Sequence, residues 1–142
     1  MNVRRILLAG AVGTAAMTML MLAAPLMGMP KMAIGEMLGR FLGIGTAAGW
    51  VLHLVIGLVL ATIYAAVFAS RLPGVPVVRG AIYGVGIFLM AQVVVTPMMG
   101  GGLFSGGNVL VIAGSLMGHL VYGGLVGGLY AARNEVGRLA RA

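Results

Sequence analysis

The chain has 142 residues, 61% of them hydrophobic and only 8% charged, with a mean hydropathy of +1.13. Soluble domains carry about 25% charged residues. Nine Lys+Arg and two Asp+Glu cannot clothe a water-exposed globule of this size. Both acids are Glu (Glu36 and Glu135), so a paired-Asp site is excluded. With no Cys there is no disulfide, no thiolate metal site and no Cys-linked haem. The net charge of +7 does not point to nucleic acid. The basic residues flank apolar runs instead of forming a patch with interleaved aromatics.

Four segments are long enough to cross a bilayer core, which takes about 20 apolar residues as helix. They fall at about 6–24, 47–69, 80–96 and 109–132. The first follows Arg4 and Arg5 and exceeds the usual signal-peptide apolar run. It ends at Ala23-Ala24-Pro25 with no clear Ala-x-Ala cleavage pattern and reads as the first membrane helix. Helix is forced, because open sheet edges in lipid leave backbone groups unpaired. Pro25 and Pro97 are expected to end their helices. Residues 31–42 read as a short interfacial helix, with Glu36 and Arg40 spaced for a surface pair. Residues 97–108 carry no charge and many glycines, and read as a compact or flexible turn.

Lys/Arg bias sets the expected orientation. Arg4, Arg5, Arg71, Arg79, Arg133, Arg138 and Arg141 fall on one side, against Lys31 and Arg40 on the other. The reading is a multi-pass inner (plasma) membrane protein with both termini cytoplasmic.

The chain repeats itself. His53-Leu-Val-Ile-Gly-Leu-Val-Leu-Ala-Thr-Ile-Tyr-Ala65 aligns with His119-Leu-Val-Tyr-Gly-Gly-Leu-Val-Gly-Gly-Leu-Tyr-Ala131, and six of the thirteen positions are identical. Upstream, Pro25-Leu-Met-Gly28 matches Pro97-Met-Met-Gly100. The expected fold class is therefore an all-α membrane protein forming one membrane domain over 1–142. Its four transmembrane helices make two tandem hairpin repeats, 1–70 and 71–142. An even number of crossings per repeat puts the pseudo-twofold axis along the membrane normal, unlike inverted-repeat transporters. Residues four apart share a helix face. One stripe is Gly49, His53, Gly57, Ala61, Ala65; the other is Ser115, His119, Gly123, Gly127, Ala131.

Three stretches, Gly-Trp-Val-Leu-His-Leu-Val-Ile-Gly (49–57), Pro-Met-Met-Gly-Gly-Gly-Leu-Phe-Ser-Gly-Gly (97–107) and Gly-Ser-Leu-Met-Gly-His-Leu-Val-Tyr-Gly (114–123), resemble a family of small prokaryotic membrane proteins of unknown function. The resemblance extends over nearly the whole chain. It implies a four-helix membrane protein and no activity, cofactor or site residues.

His53 and His119, the only histidines, occupy equivalent repeat positions. Their distance along the helices from Arg71 and Arg133 puts both roughly 21–27 Å from the inner surface, at 1.5 Å per residue. A pair at one depth is what bis-imidazole ligation of a haem b needs. Gly57 and Gly123 would make room for the porphyrin, and Arg40, Lys31, Asn108 or Trp50 would meet the propionates. The plainer reading is that each imidazole hydrogen-bonds to a neighbouring helix carbonyl, Thr14, Thr18 or Gln92 and locks the packing, and a third is another metal or a proton role. Gln92 itself reads as interhelical glue.

Twelve Met are present, several in the outer connections. Thioethers suit Cu(I), but no Met-x-x-Met or His-Met pattern recurs, so adaptable packing is preferred. Ser105 lacks a Gly-x-Ser-x-Gly elbow and a triad, and no catalytic residue is assigned. Three functions follow, none of them clearly enzymatic. The first is a haem b bundle for electron transfer or haem sensing. The second is a cofactor-free assembly subunit whose small-residue stripes bind partner helices or a second copy. The third is a small solute or ion pathway. The lipid bilayer is a partner in each.

Overall fold

The computed structural model describes the backbone of residues 2–139 and the side chains of residues 2–131. Arg133, Glu135, Arg138 and Arg141, used in the orientation and acid arguments, lie outside the described side chains. Among the described residues the fold is all-helical, with no strand.

The elements are α1 (Val3–Ala23), α2 (Ile34–Leu42), α3 (Thr46–Ile63), α4 (Pro76–Met90), α5 (Thr96–Met98) and α6 (Val109–Leu139). A π turn, Tyr64–Phe68, extends α3, and another, Ala91–Val95, joins α4 to α5. Four helical stretches are long and apolar enough to span a membrane: Val3–Met27, Thr46–Phe68, Pro76–Met98 and Val109–Ala131. Leu8, Met19 and Val51 are each more than 60% exposed on their flanks. Water would make that surface costly, whereas lipid covers it.

Several boundaries differ from the sequence reading. The first helix starts at Val3 because the Asn2 side chain caps it, accepting from the Arg5 N–H at 3.4 Å. The third starts at Pro76, a residue suited to a first helical turn. Pro25 does end α1, inside the 3₁₀ turn Ala24–Met27. Pro97 does not end its helix: it sits in the last turn, α5, just past a π turn. Proline has no N–H to give a regular helix, and a local π adjustment absorbs that loss.

In space, α1 lies between α3 and α6, and α4 packs on the other flank of α6. Close crossings rest on glycine. A Cβ on Gly80 or Gly123 would run into the backbone carbonyl of the other, so α4 and α6 touch backbone to backbone. A side chain on Gly57 would overlap the Thr14 hydroxyl, which brings α3 against α1. The Tyr122 hydroxyl donates to the Gly57 carbonyl at 2.6 Å and ties α6 to the same point. Replacing Tyr122 with Phe is expected to lower stability by about 1 kcal/mol, the usual worth of such a bond between membrane helices. Unfolding titrations in mixed detergent would check this.

α3 and α4 meet at the end bearing Arg71 and Arg79. The Tyr83 hydroxyl donates to the Leu60 carbonyl at 2.8 Å. The Tyr83 ring packs 5.3 Å from Tyr64 and 5.0 Å from Phe68. Arg71 and Arg79 donate to the carbonyls of Val67 and Ala69 at the end of the α3 segment, which favours cations near a helix C-terminus. At the opposite end, α2 lies on α3 through Gly35, Gly39 and Gly49, with the Trp50 indole over Gly35.

The expected Glu36–Arg40 pair is replaced. Glu36 instead takes the Lys31 ammonium at 2.6 Å, from the segment just before α2. That hydrogen bond and the lysine charge hold the Glu36 carboxyl below its ordinary value of 4.5. Both side chains are open to water, where such pairs add little stability.

Candidate functional site

Toward the α2 end, the bundle forms a half-open cavity of about 260 Å³ lined from α1, the α2 region, α3, α4 and α6. His53 and His119 both line it. The two histidines therefore share one cavity. Gln92, Ser105, Ser115, Thr14, Thr96 and Tyr122 supply its other uncharged polar groups.

The two imidazoles are held differently. His119 Nδ1 lies 2.7 Å from the Ser115 carbonyl oxygen, one turn back on α6. A carbonyl only accepts, so Nδ1 carries the proton and donates. In the neutral ring Nε2 then keeps its lone pair. The Phe88 ring stands edge-on to the imidazole at 6.0 Å and fixes its plane. His53 stands edge-on to Trp50 at 6.1 Å. Its Nε2 is buried and has no hydrogen-bond partner among the described residues.

A carbonyl does meet His119, though from its own helix, while Thr14 and Gln92 bond elsewhere. The Thr14 hydroxyl donates to the Gly10 carbonyl at 2.7 Å. Gln92, 2% exposed and inside the π turn of Ala91–Val95, accepts from Ser105 at 2.8 Å. That bond pulls the connection between α5 and α6 onto the bundle. Of the two forms its glycines allow, compact or flexible, the turn Leu103–Gly107 takes the compact one. Phe104 and Ser105 both adopt positive φ, +46° and +54°. Such conformations cost about 1–3 kcal/mol and persist only where surrounding contacts impose them. Here those contacts are Ser105 on Gln92 and Phe104 against Phe88, 6.4 Å between centroids.

The remaining candidate residues divide. Gly57 lines the cavity, yet the space beside it belongs to Thr14. Gly123 does not line it, being consumed by the crossing with Gly80 and Gly84. Arg40 is exposed on α2, away from the cavity wall. Asn108 caps α6 by accepting from the Val111 N–H, and Lys31 lies at the rim.

The sequence reading weighs the outer methionines for Cu(I) and prefers packing; it does not place them beside the histidines. Met17, Met21, Met32, Met37, Met90 and Met99 all line the cavity that holds both imidazoles. The high Met count was the available signal, but these residues come from four separate segments and show no common spacing.

A family profile covers residues 2–138. The chain belongs to the family of unknown function DUF6789. No curated protein and no solved structure matches it. Membership therefore carries no activity, and the chemistry rests on the cavity.

Proposed function

We propose that this chain is a membrane-embedded binding protein that takes a small ligand on the paired imidazoles of His53 and His119. The carrying observation is the buried, unpartnered His53 Nε2 in the same cavity as His119, whose Nδ1 anchor leaves its own Nε2 available. A structural histidine would have its polar atoms satisfied, because an unmet buried group costs about 1–3 kcal/mol. An atom left unmet in a cavity is poised for a ligand.

In this reading the two hairpins are tandem repeats about an axis along the membrane normal. Gly57 against Thr14 and Gly123 against Gly84 and Gly80 are their corresponding contacts. Both termini face the cytoplasm of an inner (plasma) membrane, so the cavity lies in the outer half.

Haem b is not the ligand this geometry favours. A cavity of about 260 Å³ is small for a macrocycle, falling below the roughly 300–1,000 Å³ of ordinary small-molecule pockets. The glycines that were to flank the porphyrin are spent on helix crossings. The same use of the stripes weakens the assembly-subunit reading. Gly57, Gly80, Gly123 and Gly127 already face neighbours within the chain.

His53→Leu tests the proposal without knowledge of the ligand. In ligand-free protein, deleting an unmet polar atom is expected to be neutral or to raise stability by up to about 1 kcal/mol. Loss of more than about 1 kcal/mol in detergent unfolding would mean that the imidazole holds the bundle together and would overturn the proposal.

A further inference from the structure

We infer that the ligand is a soft monovalent cation, Cu(I) in kind, held by the imidazole Nε2 atoms of His53 and His119 with thioethers of Met17 and Met32. The inference rests on the binding-site reading above and names its ligand class.

The donor set argues it first. The cavity wall holds two imidazoles and six thioethers, with no carboxylate. Its one cation, Lys31, lies at the rim and is paired with Glu36. Hard cations such as Mg²⁺ and Ca²⁺ need oxygen ligands, mostly anionic ones. Thioether and imidazole suit Cu(I). Neutral ligands also fit a single positive charge in a low-dielectric setting, where several anions would be costly to bury.

Placement argues it second. The Met32 sulfur lies 3.3 Å, and the Met29 sulfur 3.5 Å, from the point where a Gly114 Cβ would stand. The Met17 sulfur lies 4.0 Å from the corresponding point at Gly118. Gly114 and Gly118 are one turn apart on α6 and immediately precede Ser115 and His119. The sulfurs of Met17 and Met32 thus pack against α6 at the glycines beside Ser115 and His119, and both residues line the cavity that the imidazoles face. That Met-x-x-Met does not recur beyond Met29-Pro-Lys-Met32, which counted against copper in the sequence, loses its force when the sulfurs come from separate segments.

The hydrogen bond of His119 Nδ1 to a backbone carbonyl supplies the third argument. Metal-bound histidines commonly donate their other ring N–H in this way, which fixes ring and tautomer.

The test uses the full chain in detergent, titrated with Cu(I) against a chromophoric Cu(I) chelator and, separately, with redox-inert Ag(I). One equivalent is expected to bind, with both nitrogen and sulfur neighbours in the copper X-ray absorption spectrum. Met17→Leu with Met32→Leu nearly conserves volume, so the unfolding midpoint should hold while affinity falls at least tenfold. Absence of stoichiometric binding, a nitrogen-only shell, or unchanged affinity in the Leu pair would overturn the inference. Those results leave the His53→Leu stability result standing for the binding-site reading. Cu(I) binding that survives His53→Leu and His119→Leu together would remove both.

Discussion

Replacing Tyr64 with Ala is expected to cost about 3–5 kcal/mol, the range for deleting a fully buried aromatic side chain. Tyr64 is 1% exposed. Its ring packs 5.3 Å from Tyr83 and 6.2 Å from Tyr130, so one residue touches both α4 and α6 from the end of α3. The side chain belongs to the clasp where α3 meets α4. Losing it both opens a void and frees the two helices that flank the cavity. Tyr64→Phe keeps the rings in contact and should cost less than about 1 kcal/mol. Detergent unfolding of both variants checks the contrast. Equal, small losses would show that the clasp does not hold α3 to α4.

Gly123→Val is expected to lower stability by about 3 kcal/mol, at the upper end for overpacking. The new side chain would meet the Gly80 carbonyl and the Gly84 backbone. A flexible side chain could swing away, but two helix backbones cannot yield without separating α4 from α6. Gly86→Val is the control, because a Cβ there meets nothing within 4 Å. It should stay within about 0.5 kcal/mol of the parent, as usual for an open surface position. If the two variants unfold alike, the close crossing is not what joins α4 to α6.

Much of the architecture was legible because the membrane leaves few options. Apolar length located the four spans to within a few residues, and helix was forced by backbone satisfaction. Four-residue spacing put His53 and His119 on small-residue stripes, and both do face one cavity. The stripes were misjudged at Gly123. Sequence shows that a residue is small but not whether a helix or a ligand takes the space beside it. Ser105 and Gln92 could not be paired beforehand, since the contact depends on two left-handed residues in a turn that glycine content leaves compact or flexible. Lys31 displaced Arg40 on Glu36 because α2 starts at Ile34, which leaves Lys31 in the incoming segment. The methionines were hardest to read. Thioethers have no periodicity of their own, and only the packing of α1, the α2 region, α4 and α6 gathers them.

The convergence of the two imidazoles can be tested directly, because the natural chain has no cysteine to interfere. His53→Cys and His119→Cys, introduced together, would be the only thiols. A short bifunctional methanethiosulfonate, read by intact-protein mass, is expected to add one bridging adduct per chain, and either single variant should take only a pendant one. Two independent adducts on the double variant, with no bridge at any reagent concentration, would contradict a shared cavity.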